Sequence, residues 1–172
     1  MNNHNEQVMG YRENKMVIDS FSDEYRFLSN FYLHPVKYVG LIFPSNEHAF
    51  QAIKSLDETL RIPFQIQDVL PIIKIGGKLE QMKQMTCAQA KRTGRDLTLR
   101  VDWEEIKIIV MTDLCRIKFS DPHLRSLLLA TGDAELIEGN WWHDQFWGVC
   151  NGVGQNQLGK ILMAIRNLYR NL

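Results

Sequence analysis

The sequence predicts a mainly helical α+β fold, a single compact domain with a few short strands. Its 172 residues, 45% of them hydrophobic, are enough for one hydrophobic core,. Apolar residues recur at helical spacing in several segments, whereas the β-prone runs are short,. No repeat, linker or low-complexity tract divides the chain. We therefore expect residues 1–15 to be a polar tail and residues 16–172 to be one domain.

Three segments have the composition of short strands. Residues 16–18 are predicted to form the first strand, and residues 135–138 are predicted to form another. Residues 36–43 contain two β-prone runs separated by Val39 and Gly40, which suit a turn,.

The helices give clearer signals than these runs. Ser45 is the predicted N-cap of one helix, and Asp102 with Glu105 resembles a capping box at the start of another. An Asp-Pro pair at 121–122 starts a third helix, and Gly132 ends it. The apolar positions of the four predicted helices are Ala49, Phe50, Ile53 and Leu56; Ile106, Val110, Leu114 and Ile117; Leu124, Leu127 and Leu128; and Leu158, Ile161, Leu162, Ile165 and Leu168.

Charge is balanced overall but uneven locally. Twenty basic and twenty acidic residues give a formal net charge of zero, so no global field draws the protein to nucleic acid or to a lipid surface,. Residues 74–100 nevertheless carry seven basic residues against Glu80 and Asp96. This basic cluster is either a solvated helical face or a wall that contacts phosphate. Its members are Lys74, Lys78, Lys83, Lys91, Arg92, Arg95 and Arg100.

The cysteines and histidines argue against disulfides and metal sites. Three widely spaced cysteines form no disulfide framework, which indicates a reducing compartment,. The five histidines show no HExxH motif and no Cys/His ligand spacing, so no metal is expected,. A polar N-terminus and the absence of a stretch of ~18 apolar residues favour a cytoplasmic protein.

One face of the helix capped by Ser45 holds candidate catalytic residues. Glu47, Gln51 and Lys54 lie at i, i+4 and i+7, so they form either a solvated face or the wall of a cleft,. The helix dipole would keep Glu47 ionised, as a base or as a stabiliser of positive charge.

Residues 140–156 form a long irregular segment rich in aromatic residues, which we call the aromatic segment,. Asp144 lies among its rings, and apolar surroundings would raise its pKa and suit it to act as a general acid. Glycosidases place two carboxyl groups across the bond they break, so Glu47 and Asp144 are a candidate pair. Alternatively, the aromatic rings of this segment are ordinary residues of the hydrophobic core.

Two further features allow a packing role or a binding role. Trp103, at a helix start, either packs in the core or stacks on a flat base. The glycine-rich turn at 151–156 precedes the last helix and gives a weak phosphate-binding signal, because it lacks the GxGxxG and P-loop spacings.

From near Ser20 to the C-terminus, eight motifs in order resemble the NADAR family. They are FLSNFY at 27–32, PSNEHAFQAIK at 44–54, AKRTGR at 90–95, RVDW at 100–103, KF at 118–119, LLATG at 128–132, WG at 147–148 and GQNQLG at 154–159. The resemblance implies an N-glycosidase that uses no metal or organic cofactor. Some members hydrolyse phosphoribosylamino-pyrimidine intermediates of riboflavin synthesis, and others remove ADP-ribose from guanine bases of nucleic acid or from free guanine derivatives. The alternative is a non-catalytic module that binds ADP-ribose or nucleic acid.

The resemblance also implies roles for individual residues. Glu47 would activate water or stabilise charge, Asp144 would polarise the sugar or the leaving group, and Trp103 would stack on the heterocycle. In a rival version, Lys54 attacks the opened sugar as a Schiff-base nucleophile. Arg95 would hold phosphate. The expected substrate-binding residues are Asn30, Phe31, Gln51, Arg95, Trp147, Gly148 and Asn156.

Residues 55–89 are longer than the corresponding segment of compact family members. This insertion contains Pro63, Pro71 and a Gly-Gly pair at 76–77. It is a lid, a nucleic-acid contact or a structural elaboration.

Overall fold

Five α-helices and eight short strands make up the part of the chain that a computed structural model describes, residues 16–66, 72–75, 78–81 and 84–172. The mainly helical α+β prediction is confirmed, and the predicted tail 1–15 lies outside the described residues. The helices are α1 (Asn46–Ala52), α2 (Cys87–Asp96), α3 (Trp103–Lys118), α4 (Pro122–Ala130) and α5 (Gln157–Arg170). The strands are β1 (Val17–Ile18), β2 (Val36–Tyr38), β3 (Leu41–Phe43), β4 (Ile72–Ile75), β5 (Lys78–Gln81), β6 (Glu135–Leu136), β7 (Gly139–Asn140) and β8 (Val149–Cys150).

The strands pair two by two. β2 and β3 form the predicted hairpin, whose turn residues Val39 and Gly40 both have positive φ angles. β1 pairs with β6, and β7 with β8, in parallel. The β1–β6 pair joins segments that are distant in sequence, and the β7–β8 pair joins the start of the aromatic segment to its middle.

The 55–89 insertion is described in part. It contains a 3-10 turn at Thr59–Phe64 and the antiparallel hairpin β4–β5. Residues 67–71, 76–77 and 82–83, which include Pro71 and the Gly-Gly pair, lie outside the described residues. Its role as a lid, a contact or an elaboration stays a prediction.

All three predicted helix starts are confirmed, but only two of them have the predicted side-chain cap. Ser45 accepts a hydrogen bond from the backbone N–H of His48, and Asp121 accepts one from Leu124,. Asp102 occupies the N-cap position of α3, but its carboxylate makes no capping hydrogen bond and instead accepts two from the guanidinium of Arg100, at 2.6 and 2.9 Å.

The first helix, α1, lies inside the protein. All seven of its residues are buried, and it packs against α2, α3, β2, β3 and the turn at Thr59–Phe64. An isolated helix this short would not be stable in water, so tertiary packing holds it. The helix ends at Ala52, and Leu56, predicted to extend its apolar stripe, is 60% exposed. Burial of α1 brings its polar residues into the interior.

The remaining helices complete the core. Val110 and Leu114 of α3, Leu124 of α4, and Leu158 and Leu162 of α5 are buried, as their spacing predicted. Within the described ranges, none of the helices has the length and apolar character needed to cross a membrane.

Candidate active site

A cavity of about 350 Å³ opens beside α1, and its wall combines carboxyl groups, lysines and aromatic rings. Seven of the eleven predicted site residues line it. They are Asn30, Phe31, Glu47, Gln51, Lys54, Asp144 and Trp147. In the described part of the chain, no three His, Cys, Asp or Glu side chains are grouped so that they could hold a metal ion.

Glu47 is a buried carboxyl group, 6% exposed, whose Oε1 accepts a hydrogen bond of 2.8 Å from Gln51 Nε2. Its backbone N–H donates to the carbonyl of Asn30, which ties the 27–32 motif to α1. Burial raises the pKa of Glu47, although the amide of Gln51 and the charges of Lys54 and Lys91 act in the opposite direction. Burial therefore acts against the helix dipole, which was expected to keep Glu47 ionised,.

Lys54 reaches the same cavity from just beyond the end of α1. Its Nζ lies 5.9 Å from the centroid of the Phe50 ring. Burial lowers the pKa of Lys54, the charges of Lys91 and Arg95 lower it further, and the charge of Glu47 acts in the opposite direction. A lysine with a lowered pKa carries more of the neutral, nucleophilic amine at neutral pH.

Asp144 enters the cavity in an environment that differs from the predicted one. Its Oδ1 accepts hydrogen bonds from the backbone N–H groups of Phe146 and Trp147, at 3.2 and 2.9 Å. The side chain of Asn140 bonds to both the N–H and the carbonyl of Asp144. Backbone N–H groups of the aromatic segment therefore hold Oδ1 of Asp144, a polar contact that the sequence prediction did not include.

Glu138 is a third carboxyl group of the cavity, which the sequence reasoning missed. Its N–H donates to the Asn156 side chain at 3.1 Å, and its carbonyl accepts from the Val149 N–H at 2.9 Å. Burial, followed by the nearby Asp144, raises the pKa of Glu138 to about 7. One signal could have found it: in an extended segment, residue 138 faces the same side as Leu136, two positions before it, and that leucine is buried,.

The buried Glu138 should make stability depend on pH. Its folded pKa, about 7, exceeds the ordinary value of 4.5. The stability it contributes is therefore fully present below pH 4.5 and is lost as the pH rises through about 7,. Relative to the wild type, Glu138→Gln should gain up to about 3 kcal/mol of unfolding free energy between pH 5 and pH 8. Denaturant titrations at the two pH values measure this gain, and a constant difference would contradict the assignment. Glu135→Gln, an exposed change in β6, should show no such gain.

Comparison with known proteins identifies the family. The NADAR domain model matches residues 12–170. The chain belongs to the NADAR family. It is 38% identical over 152 residues to the N-glycosidase YbiA of Escherichia coli, a match that covers 86% of this chain and 83% of that protein. The NMR structure of E. coli YbiA matches with a TM-score of 0.73 and 34% identity, over 96% of this chain and 91% of that one.

Two other relatives are named as riboflavin biosynthesis proteins. A riboflavin biosynthesis protein of Vibrio vulnificus is 36% identical over 148 residues, covering 84% of this chain and 35% of that protein. The chloroplastic riboflavin biosynthesis protein PYRR of Zea mays is 31% identical over 170 residues, covering 94% of this chain and 26% of that protein. This chain therefore corresponds to one part of each of these longer proteins.

Two residues that the NADAR motifs assign to substrate, Asn156 and Gly148, support Glu138 instead of lining the cavity. Asn156 has a left-handed backbone, with φ 52°; its Oδ1 accepts from Glu138, and its Nδ2 donates to the Leu136 carbonyl at 2.8 Å. A Cβ at Gly148 would lie 2.1 Å from the Glu138 carbonyl oxygen. In this NADAR domain the WG and GQNQLG motifs therefore position a carboxyl group.

The glycine-rich turn before α5 was predicted to offer backbone N–H groups to phosphate, but two N–H groups at the start of this helix already have other acceptors. The N–H groups of Gln157 and Leu158, at the start of α5, donate to the carbonyls of Phe146 and Trp147. These donors therefore hold the aromatic segment against the helix.

Trp103 also lies outside the wall of the NADAR cavity. It is 5% exposed, and its ring centroid is 4.9 Å from that of Phe50. Phe50 in turn contacts Trp147 edge to face, at 5.3 Å, and both of these rings line the cavity. Trp103 thus packs behind the wall and holds Phe50 in place, whereas the predicted stacking role needs an exposed ring.

A second cavity of about 440 Å³ adjoins the first and shares Phe31, Lys91 and Trp142 with it. Arg92 and Arg95 of α2 add two positive charges there. Arg95 therefore lies in this second cavity and not beside Glu47. Part of the basic cluster thus forms the wall of a cavity.

A glycine in α2 sets the distance between α2 and Gln51. A Cβ at Gly94 would lie 2.0 Å from Gln51 Oε1, so Gly94→Ala must displace the amide that bonds to Glu47. We expect kcat to fall by about tenfold or more, even though alanine favours a helix over glycine by about 1 kcal/mol. Steady-state kinetics of this variant and of Thr93→Ala, its neighbour on α2, test the expectation. Equal activity of both variants would contradict it.

Proposed function

We propose that this protein is an N-glycosidase that hydrolyses the bond between ribose C1 and an amine of a flat heterocycle. The observation that carries this proposal is the convergence of Glu47, Glu138 and Asp144 with Lys54 in one cavity lined by aromatic rings. Most glycosidases place one carboxyl group on the leaving-group side of the bond and another on the water side. The aromatic walls suit a flat ring. The relative named N-glycosidase YbiA supports the same class of reaction.

Two substrates share this bond and carry phosphate. One is a phosphoribosylamino-pyrimidine, which the relatives named riboflavin biosynthesis proteins favour. The other is ADP-ribose attached to guanine, in DNA or RNA or as a free derivative. The second cavity, with Lys91, Arg92 and Arg95, favours this larger substrate, because it offers cations for more than one phosphate,.

In the direct route, Glu47 is the base. A water molecule adds to ribose C1 and passes its proton to Glu47 as the C1–N bond breaks. A raised pKa makes Glu47 a stronger base once it is ionised, and Gln51 holds its Oε1 in place. The carboxylate of Asp144 stabilises the positive charge that develops on the sugar.

In the covalent route, Lys54 replaces water in the first step. Its neutral amine adds to C1 of the ring-opened sugar, and the heterocyclic amine leaves with a proton. Water then hydrolyses the Schiff base and releases both the sugar aldehyde and the lysine. The burial that lowers the Lys54 pKa supports this route. Borohydride added during turnover would trap a sugar on Lys54 in the covalent route and leave the protein mass unchanged in the direct one.

A hydrolysis assay on two substrates tests the proposed function. Purified protein is given a guanine-ADP-ribosylated oligonucleotide or the phosphoribosylamino-pyrimidine, with Glu47→Gln as the inactive control. Release of ADP-ribose or of ribose 5-phosphate, abolished in the control, establishes the reaction and names the substrate. Binding of ADP-ribose without any turnover would instead support a non-catalytic binding module.

A further inference from the structure

The side chain of Glu138 differs from the other two carboxyl groups in its hydrogen bonding. Its Oε2 atom is buried and has no hydrogen-bond partner in the part of the chain that the structure describes. By contrast, Glu47 accepts from the amide of Gln51, and Asp144 accepts from two backbone N–H groups. A buried ionised carboxylate needs donors, whereas a protonated carboxyl group needs fewer and can itself donate. Of these three carboxyl groups, Glu138 is therefore the one whose surroundings favour the protonated form.

The charges around Glu138 lead to the same conclusion. Asp144 on the aromatic segment and Glu47 on α1 face it with negative charge, and they disfavour a third ionised carboxylate,. Lys91 on α2 and Lys118 on α3 act in the opposite direction. Burial is the largest influence, and the pKa of about 7 leaves Glu138 substantially protonated at neutral pH. A general acid works best with a pKa close to the working pH.

The backbone of Glu138 is held on both sides. Asn156 accepts from its N–H, Val149 donates to its carbonyl, and Gly148 lies so close that no side chain fits there. Such support keeps a catalytic group in one orientation through the reaction.

We propose that Glu138 is the general acid that donates a proton to the leaving amine, an inference that rests on the proposed N-glycosidase activity. As the C1–N bond breaks, its electron pair stays on nitrogen, and that nitrogen takes the proton from the carboxyl group of Glu138. In the direct route, water bonds to C1 and its proton goes to Glu47. When the products leave, Glu47 releases that proton to solvent and Glu138 takes one up, so one water is consumed per bond broken. Asp144 remains an acceptor throughout.

Leaving-group dependence tests the proposal. Glu138→Gln and the exposed control Glu135→Gln are assayed on the amine-linked substrate and on p-nitrophenyl ribofuranoside 5-phosphate, whose nitrophenolate leaves without a proton. We expect Glu138→Gln to lose about 10²- to 10⁴-fold in kcat on the amine-linked substrate and to keep its rate on the nitrophenyl substrate. Glu135→Gln should keep both rates.

The pH profile of the wild type is a second readout that does not depend on the folding of a variant. Its kcat on the amine-linked substrate should fall as the pH rises through about 7, and this fall should be absent on the nitrophenyl substrate. Equal losses of Glu138→Gln on both substrates, or the same alkaline fall on both, would overturn the assignment and leave the N-glycosidase activity intact. A wild type that cleaves no amine-linked substrate would overturn the proposed function, and this inference with it.

Discussion

Glu47→Gln is expected to lower kcat by about 10³-fold while substrate still binds. The substitution keeps the shape of the side chain and leaves an oxygen that can accept from Gln51, but it removes the base. Single-turnover kinetics measure the chemical step, and calorimetric titration with the substrate or its sugar product measures binding. A uniform loss of binding with unchanged turnover would contradict the role of Glu47 as a base.

The stability of this variant separates chemistry from folding. Burial raises the pKa of Glu47, so the stability this group contributes is lost as the pH rises through its folded pKa,. Glu47→Gln should therefore unfold at the same denaturant concentration as the wild type at pH 7, or at a higher one. Glu105→Gln, an exposed change on α3, is the matched control and should keep full activity. An inactive but destabilised Glu47→Gln would indicate a structural role for Glu47.

Asn156→Asp is expected to destabilise the protein by about 2 to 4 kcal/mol, which lowers Tm by roughly 5 to 15 °C. The aspartate is nearly isosteric and still accepts from the Glu138 N–H, but it has no N–H for the carbonyl of Leu136. It also brings a buried negative charge to the backbone that positions Glu138. Thermal unfolding measures the loss of stability, and kcat should fall with it, because the general acid moves.

Asn151→Asp is the matched control for that experiment. Asn151 also has a left-handed backbone, with φ 51°, but it is exposed. Its replacement should change the unfolding free energy by less than about 0.5 kcal/mol. Equal destabilisation at both positions would show that backbone conformation, rather than the buried hydrogen bonds, decides the effect.

Local signals predicted the parts of the fold that local interactions decide. Ser45 and Asp121 start their helices because the hydrogen bonds of a cap span only three residues,. Asp102 fails as a cap because Arg100, two residues away, takes its carboxylate, and a cap pattern does not include that competition. The pairing of β1 with β6 depends on tertiary packing, to which two-residue strands give no sequence clue.

In the candidate site, too, the sequence predicted the arrangement within one helix and missed the contacts that depend on tertiary packing. The helical spacing of Glu47 and Gln51 predicted that they share one helix face, and the structure shows a hydrogen bond between them,. Glu138 was missed because its surroundings are made by Asp144, Glu47 and Lys91, which lie on three other segments. Asn156 was assigned to substrate because a motif records which residues recur and not the atoms they bond. Its partners are backbone groups of the segment that carries Glu138.

The pairing of Val17 with Glu135 has a consequence for folding during synthesis, because it joins an early segment of the chain to a late one. The cavity takes Phe21 and Phe31 from the start of the described chain, and Glu138, Trp147 and Leu158 from near its end. A nascent chain that has emerged from the ribosome only as far as α4 therefore lacks the proton donor and one aromatic wall. Such long-range contacts form late in folding. We expect ribosome-bound chains to gain activity in a single step, when α5 leaves the exit tunnel.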